Sequence, residues 1–371
     1  MIPRPNPLLR LARTALLLAA CGLSSTAFAT GEVPQLPPTP GDAQQYQLTQ
    51  EGALRRELSP GIYQVRYSPF NQSLYVAAAE ARPGVQGGVI YQLDPETLAT
   101  RGLIHTDEKN FGLALNPAGD TLFVTNSLAS AVSKIDLKEG KVLARLKFTE
   151  KSTDGSNYGP RTVVHDAGSN LLYVGGVGDP GMIWAIDADT MAVRATIGNA
   201  GKWVTGLLLD PAQHRLYSAN GDGEVLVIDT RTHTIEQRWK PAGDAKALLV
   251  NLALDDKTQR LYVTDHSQQK TTFVLDARDG SVITRLPVGD SMDILLNPAR
   301  NQLYIGHRDQ GTVSILDATD YRVLQTHHLP PNPNSLALDA DGSHLYVTVK
   351  TPFTPDRFAS GQGSVVRIEL P

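Results

Sequence analysis

A chain of 371 residues with 34 Lys plus Arg against 38 Asp plus Glu carries a formal net charge of −4. It lacks the positive excess of a generic nucleic-acid or membrane-surface binder, so any anion site must be local. One cysteine, Cys21, excludes a disulfide framework within the chain.

Residues 1–29 read as an export signal: Arg4, Arg10 and Arg13 form a positive segment, Thr14 to Ala20 an apolar one, and Ala27-Phe28-Ala29 a small-residue cleavage pattern. The apolar stretch is well short of the roughly 20 residues that a spanning helix needs. Leu18-Ala19-Ala20-Cys21-Gly22 also resembles a bacterial lipobox, so two routes stand as alternatives. Cleavage after Ala29 gives a soluble form without cysteine, and cleavage before Cys21 puts a lipid on that residue, the only membrane contact expected. Both place the protein in the periplasm. Residues 30–50, rich in Pro, Gly, Gln and Thr, read as a flexible leader. Loss of residues 1–29 removes three Arg and no acid, leaving a net charge of about −7.

From residue 51 to 371 the chain is organised by a repeat. Leu74-Tyr75-Val76 returns as Leu122-Phe123-Val124, Leu172-Tyr173-Val174, Leu216-Tyr217-Ser218, Leu261-Tyr262-Val263, Leu303-Tyr304-Ile305 and Leu345-Tyr346-Val347, with Leu-to-Leu steps of 48, 50, 44, 45, 42 and 42. Periods of about 40–45 residues indicate a propeller, and a repeat ring of this length needs no second domain. Around each triplet the runs rich in Val, Ile, Leu and Tyr alternate with Gly, Pro, Asn and Asp, which gives four strands per unit. The expected fold is all-β, a seven-bladed propeller of four-stranded antiparallel blades. First strands such as Leu113-Ala114-Leu115, Leu207-Leu208-Leu209 and Leu336-Ala337-Leu338 are apolar at consecutive positions, which predicts burial on both faces. Asp94, Asp136, Asp187, Asp229, Asp276 and Asp317 close the third strands and are expected to accept backbone N–H bonds in the following turns, one per blade and too far apart to share an ion. The last repeat stops after Val365-Val366-Arg367-Ile368, so Ala53 to Leu58 is expected to supply its missing outer strand.

In such a ring the loops from strand two to three and from blade to blade share one face, and function is expected there. Those loops carry Lys109 with Phe111, Tyr158 with Arg161, Lys202 with Trp203, Lys246, His266, His307-Arg308 and Lys350. Cations track phosphates or carboxylates and aromatic faces stack on bases, so Lys109, Phe111, Tyr158, Arg161, Lys202, Trp203, His307, Arg308 and Lys350 form the candidate ligand site. No catalytic residue, metal ligand or cofactor is expected: the sequence has no His-Glu-x-x-His, Cys-x-x-Cys-His, Gly-x-Ser-x-Gly or Gly-x-x-x-x-Gly-Lys pattern. A metal-assisted hydrolase of the lactonase type would draw on Asn126, Asn220, Asp265 and Asp293, but loop residues of these kinds commonly bond their own backbone.

With the repeats laid out, the chain resembles the YVTN-repeat propellers and, closely, the bacterial periplasmic YncE group. Gly88-Val89-Ile90-Tyr91-Gln92-Leu93-Asp94-Pro95, Phe111-Gly112, Pro160-Arg161, Ile183-Trp184-Ala185-Ile186-Asp187, Thr205-Gly206-Leu207, Asn297-Pro298-Ala299-Arg300-Asn301, His307-Arg308 and Pro333-Asn334-Ser335-Leu336-Ala337-Leu338 carry the resemblance. It implies a periplasmic seven-bladed propeller without an established catalytic activity, for which binding of single-stranded DNA has been proposed. The Pro-rich leader and the lipobox depart from the group. The expected function is a non-enzymatic binding protein for single-stranded nucleic acid or another anionic ligand. The alternatives are an envelope protein scaffold using the loops 77–87 and 351–363, and the metal-assisted hydrolase.

Overall fold

A computed structural model describes residues 46–48 and 53–370; the expected signal segment with Cys21, and the leader as far as residue 45, lie outside the described residues. Side chains alternate between the two faces of a strand, so each triplet puts its Leu and third residue on one face and its aromatic ring on the other. Both faces are buried. The ring of one blade shares an apolar cluster with the triplet Leu of the next: Tyr75 with Leu122, Phe123 with Leu172, Tyr173 with Leu216, Tyr217 with Leu261, Tyr262 with Leu303, Tyr304 with Leu345, and Tyr346 with Leu74. The last pairing joins blade seven to blade one and closes the circle. One short motif thus supplies both halves of every blade junction.

Six of the seven antiparallel sheets follow chain order from the centre outward, and the inner strands of all seven are Ile62–Ser68, Leu113–Leu115, Gly159–Asp166, Val204–Asp210, Leu249–Asp255, Asp293–Asn297 and Asn332–Leu338. In blade seven, Ser364–Glu369 pairs antiparallel with Leu54–Glu57, Arg56 lying opposite Val365, and Tyr46–Leu48 pairs with Leu54–Glu57 on its other side. Burial on both faces is most complete in the second strand of each blade, not the first: Leu216 to Asn220 is buried throughout, whereas Leu208 and Leu209 are half-buried. The first strand borders the central channel, so part of it meets water.

The turns after the third strands are built as their sequence predicts. Asp94 Oδ1 accepts N–H bonds from Glu96 and Thr97 at 2.9 and 2.7 Å, and Asp136, Asp187, Asp229, Asp276 and Asp317 repeat the motif. Four of them also hold an arginine, Arg101 on Asp94, Arg194 on Asp187, Arg231 on Asp229 and Arg278 on Asp276. Among the described residues no helix is long and apolar enough to cross a membrane.

Candidate functional site

The channel mouth is built from one repeat position. Eleven residues before each triplet Leu stand Tyr63, Phe111, Arg161, Thr205, Val250, Met292 and Asn334, and all seven line the cavity at the end of the channel where the inner strands begin. In five blades the ladder slips here, with Tyr63-Gln64, Arg161, Thr205, Val250-Asn251 and Asn334 falling in the irregularity between strands one and two. A β-bulge re-aims the side chain of the extra residue, which turns these residues toward the axis. Hydrogen bonds stitch the ring from blade to blade. Leu113 N donates to Gln64 Oε1 (2.5 Å), Thr125 Oγ1 to Arg161 O (3.1 Å), Thr205 Oγ1 to Leu249 O (2.6 Å), Asn251 Nδ2 to Met292 O (2.7 Å), Leu336 N to Asp293 Oδ2 (2.8 Å) and Thr348 Oγ1 to Tyr63 O (2.6 Å).

The ring has a fixed frame and an uneven surface. Blades four to six present Thr205, Val250 and Met292, while blades one to three present Tyr63, Phe111 and Arg161. Arg161 lies with its guanidinium 4.7 Å from the Tyr63 ring centre and 5.6 Å from that of Phe111. Lys350 Nζ stands 3.7 Å from the Tyr63 centre and 5.2 Å from that of Phe353. Arg308 donates to Asn334 Oδ1 at 2.6 Å, and Asn334 donates in turn to Tyr63 O at 3.2 Å.

Three cationic groups therefore gather about one tyrosine. Among the described residues none of the three has a carboxylate within ion-pair distance. Burial, followed by repulsion from Arg308 and Arg161, holds the Lys350 ammonium well below the usual lysine range. Burial, with Arg161 next, pushes Arg308 down to about 10. The rings supply part of the missing counter-charge through their negative faces, about 0.5–2 kcal/mol per contact. An arriving phosphate or carboxylate would supply the rest.

Asp309 and Asp290 are the acids whose attraction reaches Arg308, and the acid that lines the channel wall is Asp293. Its carboxylate accepts N–H bonds from Leu336 and Ile294, and burial raises its pKa to about 6 against the opposing pull of Arg66 and those amides. The cavity measures about 80 Å³, far below the roughly 300–1,000 Å³ that enclose a drug-sized ligand. A larger groove, about 630 Å³, runs along the outer wall between Thr196–Asn199 and His233–Arg238, but among the described residues no comparable cluster of unpaired charge faces it.

Of the residues singled out in the sequence, the structure brings together Phe111, Arg161, Arg308 and Lys350. The others are engaged elsewhere. Lys109 Nζ donates to Ala79 O and Glu80 O at 2.7 and 3.0 Å, and Tyr158 is buried against Trp184 with its hydroxyl on Pro180 O. Lys202 lies over Trp203 and 3.6 Å from Asp179, at the edge of blades three and four. His307 is fully buried, one ring nitrogen on Asp290 O and the other on Ser314 Oγ, and burial lowers its pKa so that it stays neutral at pH 7. Tyr63, at the centre of the cluster, is the residue that loop reading misses; the fixed offset it shares with Phe111 and Arg161 is the signal that finds it.

The hydrolase candidates do not converge as a set. Asn126 and Asn220 donate to Lys109 O and Ala200 O, each tying down the loop that enters its own blade. Asp265 does the same by accepting Leu248 N at 2.9 Å. Asp293 alone of the four lies in the channel wall.

Comparison with known proteins agrees with the repeat and the ring. The chain is 40% identical over 326 residues to the uncharacterized protein YncE of Salmonella typhimurium, covering 87% of this chain and 92% of that one. It is 39% identical over 323 residues to YncE of Escherichia coli strain K12, covering 86% and 91%. Antigen Lp49 of Leptospira interrogans is 26% identical over 182 residues, 47% of this chain and 39% of the antigen. No family model matches. Among solved structures, Kuenenia stuttgartiensis hydrazine synthase superposes with a TM-score of 0.66 at 16% identity, covering 84% of this chain and 96% of that one. The Swd1 β-propeller domain of Myceliophteria thermophila gives 0.63 at 12%, covering 87% and 99%. At those identities the likeness extends to the fold alone. Seven four-stranded blades and near 40% identity along almost the full length of its relatives make the chain a member of the YncE family.

Proposed function

We propose that the protein is an exported, non-enzymatic binding protein of the periplasm, and that it takes an anionic ligand, single-stranded DNA first, across the mouth of the channel. The observation that carries this reading is the cluster of Arg161, Arg308 and Lys350 about Tyr63 without a paired carboxylate among the described residues. Buried charge without a partner costs stability, and a ligand that completes the pair gives a reason to keep it. Cations from different blades would take phosphates of a flexible strand, and a base would stack on the guanidinium plane of Arg161. An anion beside the Lys350 amine would favour its charged form.

The test is a fluorescence titration of a short labelled oligothymidylate with the exported form, repeated over a salt series and against duplex DNA and polyglutamate. Saturable binding that weakens steeply with salt and prefers the single strand is expected. Equal affinity for all three would reduce the mouth to an unspecific anion patch, and no binding to any of them would overturn the reading.

A protein scaffold is the second reading, favoured by one contact. The long loops 77–87 and 351–363 are joined by a hydrogen bond from Ala359 N to Ala81 O at 3.1 Å, making one rim beside Lys350 and Phe353. Shortening both loops should then abolish recovery of a partner protein while leaving oligonucleotide binding intact.

A further inference from the structure

His266, Asp290 and Asp309 meet on the mouth face between blades five and six, one donor atom of each lying within 4.8 Å of the others. His266 is placed by its backbone N–H on Leu248 O at 2.9 Å and by its position at the end of strand Arg260–Asp265. Its Nδ1 is buried, makes no hydrogen bond, and stands 3.5 Å from Asp290 Oδ2. That distance exceeds a good N–H···O bond, about 2.7–3.2 Å. Asp290 is almost completely buried; its Oδ2 accepts Asp309 N at 3.0 Å and its backbone carbonyl faces His307 Nδ1. Asp309 is exposed, leaving an open side to the cluster.

A buried ring nitrogen 3.5 Å from a buried carboxylate, with a second carboxylate at the entrance, is the donor set of a cation site. We propose that these three residues bind a divalent first-row transition ion, with Zn²⁺ as its representative. The mixture of one imidazole and two carboxylates suits such an ion better than Ca²⁺ or Mg²⁺, which favour oxygen ligands throughout. Two carboxylates would balance the charge of the ion, and the donors, within 4.8 Å of one another, would close to the roughly 2.0–2.2 Å from the ion that zinc requires. The exposed side leaves a position for water or a ligand oxygen. The site differs from the Asp, Asn and His residues that tie loops elsewhere on this face, because its ring nitrogen has no backbone group to bond.

The full exported chain, untagged and stripped with a chelator, should bind one Zn²⁺ in a calorimetric titration, and Co²⁺ should give a visible absorption band. His266→Ala and Asp309→Asn should each weaken Zn²⁺ at least tenfold, and Zn²⁺ should raise the melting temperature of the parent protein only. Because Asp309 is exposed, Asp309→Asn keeps the test valid if His266→Ala fails to fold. Absence of stoichiometric Zn²⁺ binding by the parent, leaving His266 and Asp290 as a plain ion pair, would overturn the proposal. So would Asp309→Asn binding Zn²⁺ as tightly as the parent.

Discussion

The two faces of the ring use the same kinds of residue to opposite ends. On the turn face, carboxylates recur blade after blade, each satisfied by backbone amides and four of them by an arginine as well. On the mouth face one repeat position changes from tyrosine to phenylalanine, arginine, threonine, valine, methionine and asparagine around the circle, and three nearby cations lack an acidic partner among the described residues. What repeats solves a problem that every blade has. What breaks the repeat is free of that duty, and there the structure accepts unpaired charge.

The difference can be broken most severely at a repeated position. Tyr217→Ala removes a fully buried ring that joins blades four and five, and should cost about 3–5 kcal/mol in chemical denaturation. Its hydroxyl donates to Ala277 O at 3.1 Å, so Tyr217→Phe should still cost about 1 kcal/mol. The Tyr346 hydroxyl makes no hydrogen bond, and Tyr346→Phe should be neutral or stabilising.

At the mouth the sign reverses. On the proposed reading, Lys350→Met should raise the melting temperature while weakening oligonucleotide binding at least tenfold, since it deletes a buried, repelled ammonium. The penalty from Lys350 is full below its depressed folded pKa and fades as pH rises toward the ordinary value of about 10.4, so the advantage of the variant should shrink in alkaline buffer. A fall in melting temperature would mean that Lys350 supports the fold.

A smaller effect separates the faces by acid. Asp276 is lowered to about 2 by Arg278 and the turn amide, so its contribution is present above the unfolded value near 3.9 and is lost as pH falls through about 2. Asp293 is raised to about 6, so its contribution is present below about 3.9 and is lost as pH rises through 6. Melting curves from pH 2 to 7 should show Asp276→Asn falling behind the parent as pH rises from 2 to 4. Asp293→Asn should gain on the parent from pH 4 to 7.

The fold was legible because the triplet encodes it twice: the period counts the blades, and the alternation within Leu-Tyr-Val states that both faces of the strand are covered. The site was legible only in outline. Arg161, Arg308, Lys350 and Phe111 follow from loop placement, but sequence does not tell whether a polar loop residue turns to the axis or back to a carbonyl, as Lys109 and His307 do. Tyr63 was hidden for a different reason: it is the second residue of the strand Ile62–Ser68, where an aromatic reads as core, and it packs in the core while also lining the channel.

The most direct measurement compares two pairs of arginines of equal charge on opposite faces. Oligothymidylate affinity should fall at least tenfold in Arg161→Ala/Arg308→Ala and stay within twofold of the parent in Arg194→Ala/Arg278→Ala, whose side chains pair with turn carboxylates. Equal losses in both would show that net charge alone governs binding, and an unchanged affinity in the mouth pair would contradict the assignment of the site.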